Sequence, residues 1–404
     1  MLLVRTSLSP LAAVPLITLA FPSAALGVEE GKDEIEWSGY GTINYFQRDW
    51  ETYPEIGDGL DLERFVLGFE KGLAPGIEME AELEFEHGGT GAAMEYERFE
   101  EFGEFEQEIE AGGEVLVEEL YLTFETGTPV DVKAGHMVVP VGLANAHHDP
   151  QDYFTVTRHE AEVALLPSTW HETGLAAEGT FGDLTLEAQV VSGLDSSGFS
   201  SLNWVQPGHQ MRFEEARADS PALVLAGEYR FTDRTFLGGS YYRGNTTENR
   251  PRPDLDEDAV VTITELHGVF REGPWTVRAG WLQGDLSNAD AVTRANKSLS
   301  NNLNVRRTPV GSRAEAQFVE AGIDVLPGDE RLDLFARLDD YDTMAETEGG
   351  VDASPRAERE TTTVGLNWLP ARDVVLKAQY SQRELGLAED NREDTLALGL
   401  GFTF

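Results

Sequence analysis

The 404-residue chain has no cysteine. That excludes disulfide scaffolds, thiolate metal sites and cysteine nucleophiles together. Cations are scarce as well. Lys+Arg is 30 against Asp+Glu 73, a formal charge of −43, and the only lysines are Lys32, Lys71, Lys133, Lys297 and Lys377. Phosphate backbones need a basic surface, so nucleic acid is excluded as a default partner. Beyond the N-terminus no apolar run is long enough for a membrane-spanning helix. Pro- and Ser-rich linkers are also missing, so a length that could hold several soluble domains shows no seam between them.

What is present begins with an export signal. Arg5 precedes an apolar stretch from about Leu11 to Phe21, and small residues Ala25 and Gly27 close the segment. This pattern suits signal peptidase. Residues 1–27 are therefore expected to be a cleaved signal peptide, and residues 28–404 one domain placed outside the cytoplasm.

Past residue 34 the dominant signal is alternation with period two. Ile77-Glu78-Met79-Glu80-Ala81-Glu82-Leu83-Glu84-Phe85-Glu86 has apolar residues at every second position and glutamate between them. A helix would scatter these glutamates around its circumference, whereas a strand gives one apolar and one anionic face. Similar segments lie near 35–48, 60–71, 77–86, 115–124, 130–139, 171–180, 184–191 and 221–231. The second half adds 235–242, 260–270, 275–282, 314–325, 332–341, 361–368, 374–381 and 395–404. Short connections such as Gly182-Asp183 and Glu272-Gly273-Pro274 alternate in phase with long polar ones along the whole chain. The expected fold is therefore all-β: a transmembrane, antiparallel, up-and-down barrel of about sixteen strands, with fourteen or eighteen as the nearest alternatives.

Other features follow the same frame. Phe69, Phe124, Phe181, Phe231, Phe270, Trp275 and Trp368 fall close to short turns, as an interfacial aromatic girdle would. In the last segment Leu396, Leu398, Leu400, Phe402 and the terminal Phe404 share one face. That resembles the C-terminal motif by which outer-membrane proteins present themselves to the barrel-assembly machinery. If the apolar face meets lipid, the expected channel-lining residues are Glu78, Glu80, Glu82, Glu84, Glu86, Glu119, Tyr121, Glu187, Glu228, Arg230, Glu320, Asp324, Arg337 and Asp339. The third long loop, about Pro140 to Trp170, is unusually apolar, with Leu143, Phe154, Val163, Leu165 and Leu166. Folded inward, it would form a constriction carrying His147, His148, Asp149, Arg158 and Glu160, with Arg158 facing wall glutamates across a transverse field.

Several stretches resemble the phosphate-selective porins of the O and P type. These are Glu119-Leu120-Tyr121-Leu122, Lys133-Ala134-Gly135, Pro140-Val141-Gly142-Leu143, Pro167-Ser168-Thr169-Trp170 with Gly174, and Arg64-Phe65-Val66-Leu67-Gly68-Phe69-Glu70. The resemblance covers mainly residues 60 to 180. It implies a sixteen-stranded homotrimeric porin with an inward loop. In that family anions pass along arginines and lysines, and Arg64, Lys133, Arg158 and Arg230 could form a local cationic spot here. The dominance of glutamate over lysine departs from the pattern and favours cations.

Three narrower readings remain. The acidic run from Glu95 to Glu110, with eight glutamates and Arg98, has no calcium-loop spacing and reads as a solvated loop. His147, His148, Asp149 and His159 lack a metal-ligand spacing, so no metal or cofactor is expected. Enzymatic pairs such as Glu265 with His267, or Ser168 with His171, carry no distinguishing motif. The sequence reading is a non-enzymatic outer-membrane porin passing small hydrophilic solutes and ions, with a modest cation preference from an acidic lumen. Its alternatives are a phosphate- or anion-selective porin and a non-conducting structural or adhesion barrel.

Overall fold

The computed structural model describes residues 34–89, 113–210, 215–299, 307–326 and 330–404. The expected signal peptide, residues 1–27, and the Glu95–Glu110 run lie outside them. Sixteen strands form one closed antiparallel ring in chain order, with β16 pairing back onto β1. They are β1 Glu36–Trp50, β2 Gly59–Ala74, β3 Ile77–Glu86, β4 Val115–Phe124, β5 Val130–Val138, β6 His171–Phe181, β7 Leu184–Val191 and β8 Ala222–Thr232. The ring continues through β9 Thr235–Asn245, β10 Val260–Glu272, β11 Trp275–Leu286, β12 Arg313–Asp324, β13 Arg331–Glu346, β14 Glu358–Ala371, β15 Val374–Leu385 and β16 Arg392–Thr403. Gly39 and Phe404 exchange backbone hydrogen bonds of 3.1 and 2.9 Å at the seam. Closure matters because an open edge in hydrocarbon would leave backbone donors and acceptors unpaired.

The strands form where the alternation placed them, and several run further. β13 extends to Glu346 and β14 begins at Glu358, beyond the apolar stretches at 332–341 and 361–368. Their extensions carry Asp342, Glu358 and Glu360, so backbone pairing continues beyond the apolar stretches. Around the outside, Leu175, Leu237, Leu266, Leu338, Val364 and Leu398 are exposed. Phe181, Phe231, Phe270, Trp275 and Trp368 are exposed beside the short turns, at the level where rings favour a lipid–water boundary.

The inner face is not uniformly polar. Val224, Tyr242, Val261, Ile263 and Leu282 on β8–β11 point inward and are buried. They join Leu165, Leu166 and Trp170 of the third long loop and Leu194, Phe199, Trp204 and Val205 of the fourth. Helix α3, Ala289–Ser298 in the sixth long loop, adds Val292 and Ala295 (two four-residue helices of the third loop are numbered separately below). Trp204 lies so close to Gly284 that a side chain there would collide with its ring. The expected division, apolar face to lipid and polar face to the lumen, does not hold on this side of the ring. Loops with their own apolar residues fill the interior there and exclude the water that polar side chains would need.

Candidate functional site

The third long loop, residues 139–170, begins with a reversal at Gly142, whose φ of 97° suits glycine far better than any other residue. Helices α1 Leu143–Ala146 and α2 Glu160–Val163 follow within it. Glu162 of α2 accepts hydrogen bonds from the backbone N–H groups of Leu143 at 3.0 Å and Ala144 at 2.6 Å, fastening the two ends together. Asn145 closes the base, donating to Val139 O at 2.5 Å and accepting from Trp170 N at 2.6 Å.

Side chains from many strands reach this loop, which places it inside the ring. His147 Nε2 lies 3.1 Å from Glu228 on β8, and His148 Nε2 lies 4.0 Å from Glu82 on β3. Lys377 of β15 donates to the carbonyls of Tyr153 and Thr155, both at 2.9 Å. Glu160 accepts from Tyr341 at 2.8 Å, Arg383 at 2.6 Å and Thr361 at 3.2 Å. Phe154 stacks on Phe335 at 5.2 Å and seats over Gly322, while Pro150 seats over Gly401. Leu143, Phe154, Leu165 and Leu166 are buried, whereas Val163 borders a cavity.

Burial sets the charge states of the loop. His148 is pushed down to about 4 by burial and by Arg158, and burial holds His159 well below the usual imidazole range. Burial raises the Asp149 carboxyl and lifts Glu162 to about 7. Burial acts in the same direction on Glu160, but Arg383 outweighs it and keeps that carboxyl below the ordinary range.

Of the residues singled out from sequence, Glu78, Glu80, Glu82, Glu84 and Glu86 share one face of β3. Glu84 contacts Arg64 at 2.5 Å, Glu86 contacts Arg64 at 2.6 Å, and Glu80 accepts from the Tyr121 hydroxyl. Glu119, Tyr121, Glu187, Glu228 and Arg230 border a cavity of about 330 Å³ between the loop and β4–β10. Glu320 sits between Arg278 at 2.6 Å and Arg337 at 3.0 Å, and Arg337 also holds Asp339 at 2.5 Å. Asp324 serves the short turn after β12, accepting from the backbone of Leu326 and Leu332 at 3.1 Å. Arg158 has the wall carboxylates Glu84 and Glu118 in its surroundings but bonds to hydroxyls rather than to them. Its guanidinium donates to Tyr40 at 2.8 Å, Thr169 at 2.7 Å and Ser168 at 3.4 Å. The hydroxyls of its own loop and of β1 lie closer than the carboxylates on the wall.

The strict alternation missed Glu118. The β3–β4 register slips by one residue between Glu82 and Leu83. Val117 and Leu120 are 43% and 51% exposed on the outside, while Glu118 between them is 1% exposed. A β-bulge therefore turns Glu118 inward beside Glu119. No composition signal marks it; the only hint is two residues between outward positions instead of one. Sequence reasoning also passed over inward cations on β1, β11 and β15, namely Arg48, Arg278, Lys377 and Arg383, although each sits on an alternating strand.

The enzymatic pairs resolve differently. His267 Nδ1 meets Glu265 at 2.7 Å, but the Ser240 hydroxyl donates to Glu265 at 2.9 Å rather than to the histidine. Ser168 lies at Arg158, while His171 meets His136 at 2.6 Å.

No known protein-family profile matches the chain. An uncharacterized protein of Aquifex aeolicus (strain VF5) is 23% identical over 373 residues, spanning 91% of this chain and 80% of that one. Among solved structures, the fold is similar to an anion-selective porin from Comamonas acidovorans, at TM-score 0.56 and 10% identity over 93% of this chain and 100% of that one. It is similar to the outer-membrane channel DcaP of Acinetobacter baumannii, at TM-score 0.56 and 12% identity over 92% and 97%. It is also similar to OmpF of Salmonella typhi in complex with daunomycin, at TM-score 0.56 and 11% identity over 92% and 98%. At such low identities the shared property is the architecture: a closed barrel of the porin type.

Proposed function

We propose that this chain is an outer-membrane porin, passing small hydrophilic solutes and ions by passive diffusion. The observation that carries the reading is a closed sixteen-stranded ring with an apolar exterior and a charged loop tied across its interior. Function is then an aperture plus an electrostatic lining, with no chemical step. The route to the membrane follows from the termini. Residues 1–27 are removed on export, and residues 396–404 present the barrel to the assembly machinery. Deleting Phe404 should lower the yield of assembled barrel, measured by heat-modifiable gel mobility, without changing the conductance of barrels that form. By resemblance the assembly in lipid is a homotrimer.

For ions we infer a modest cation preference at low salt. The support is the Glu78–Glu86 face, enlarged by Glu118, set against arginines that are largely neutralised. Arg64 is held by Glu84 and Glu86, Arg337 by Glu320 and Asp339, and Arg383 by Glu160 and Glu393. Anion passage as in the resembled family would need cations free of such partners. The test is the reversal potential of a single channel across a potassium chloride gradient. A potential of the sign expected for cations supports the reading; clear anion selectivity replaces it with the phosphate reading, and a barrel that never conducts replaces both with a structural role.

A further inference from the structure

On the opposite side of the third loop from the acidic cavity, a space of about 430 Å³ opens against β1, β2 and β13–β16. Five arginines border it, and three of them are matched by carboxylates as described above. Arg48, toward the long-loop end, donates to the carbonyl of Gly57 at 2.9 Å and covers the rings of Phe46 and Trp50. Arg158 lies at the loop itself and is 6% exposed. Its partners are three hydroxyls, its Nε is shielded from solvent with no acceptor, and among the described residues no carboxylate is within ion-pair distance. Glu84 and Glu118 act on this guanidinium from beyond contact distance, so it has counter-charge nearby but no anion bonded to it.

The rest of the lining narrows what that anion can be. Thr157, Ser381 and Gln379 border the same space, and Gln379 uses only its oxygen, accepting from Val156 N at 2.7 Å. Glu63, Glu160, Asp339 and Glu393 border it too, and each already accepts from Asn44, Tyr341, Arg337 or Thr52. These four carboxylates repel a compact dianion such as phosphate, yet they accept readily from neutral hydroxyls. The combination suits a molecule with one negative charge at one end and several hydroxyls along its length.

We propose that this cavity is a binding site for a small hydroxylated monocarboxylate, a sugar acid, whose carboxylate pairs with Arg158 and whose hydroxyls meet Thr157, Gln379, Ser381 and the wall carboxylates. The assignment deepens the porin reading by naming a solute class, and it rests on that reading for its physiological sense. A single seat for one anion coexists with cation preference in bulk salt, because the latter follows the summed charge of the lumen.

The test is calorimetric titration of the full-length barrel in detergent, which requires no conduction. D-glucuronate should bind, with D-glucose, acetate and inorganic phosphate each at least about tenfold weaker. Arg158→Gln should weaken glucuronate about 10- to 100-fold, and Arg158→Lys should recover part of the loss. Ser381→Ala, on the wall and away from the loop anchors, should weaken glucuronate by a few-fold while leaving acetate unchanged; it keeps the test decisive if the Arg158 variants misassemble. Phosphate binding as tightly as glucuronate, glucose matching glucuronate, or Arg158→Gln without effect in a folded barrel would each overturn the assignment. Binding without conductance would sink the porin reading and leave the site standing; conductance without glucuronate binding would do the reverse.

Discussion

The two sides of the barrel interior are built on opposite principles. Along β13–β16 and β1–β3 many inward residues are charged or hydroxylated, with Phe335 and Val375 among the apolar exceptions, and they bond to a loop across small polar spaces. Along β8–β11 buried inward residues of the long-loop half include valine, isoleucine, leucine and tyrosine, packed directly against apolar loop residues. Both sides come from the same alternating strands. Alternation therefore tells which residues share a face, and the loops decide whether that face meets water.

The contrast can be broken most forcefully at Trp204. Trp204→Ala should open a cavity beside Gly284 and cost about 3–5 kcal/mol, as large aromatic truncations do in soluble cores. It is expected to lower the temperature at which the folded gel band is lost and to raise single-channel conductance as the fourth loop loosens. If both stay unchanged, the packed side is not a core. Leu282→Ala should act in the same direction at about 2–5 kcal/mol and leave ion selectivity alone.

On the polar side the expected effect is electrical. Replacing Glu80, Glu82 and Glu84 with glutamine should reduce the cation preference at 0.1 M salt by roughly half while the barrel stays folded. The difference should fade at 1 M, where the screening length is about 3 Å. A reversal potential indifferent to this triple change would mean that the β3 glutamates do not face the conducting water.

The smallest effect tests the fastening of the loop. Burial raises Glu162 to about 7, above its value in the unfolded chain. The folded protein therefore holds the extra proton in the window between ordinary carboxylate pKa and 7, and this group's contribution to stability declines as pH rises through about 7. Glu162→Gln cannot titrate, so the slope of thermal stability between pH 5 and 8 should flatten relative to the parent. An identical slope would place the titration elsewhere.

Much of the architecture was legible because β-barrel physics repeats itself in the chain. Paired apolar and polar positions, turn residues at Gly182 and Gly273, and the final run from Leu396 to Phe404 each report locally on strand and turn. The interior was less legible. Glu118 turns inward through a register slip that no residue type announces. Val261, Ile263 and Leu282 look outward-facing by hydrophobicity alone, and only loops distant in sequence explain their burial. Arg158 was found, but its partners Tyr40, Ser168 and Thr169 are hydroxyls that carry no charge signal. Tertiary contact, not local pattern, set these positions.

One property of the third loop reaches beyond selectivity. It is bonded to β1, β8, β13, β14 and β15 at once, like the hub of a wheel tied to its rim. Its opening cannot widen or shut unless those ties part or the rim itself loses its roundness. Current through an undisturbed molecule should accordingly run steady, without flicker, and squeezing the cylinder through a thicker or thinner bilayer becomes the natural way to alter its bore.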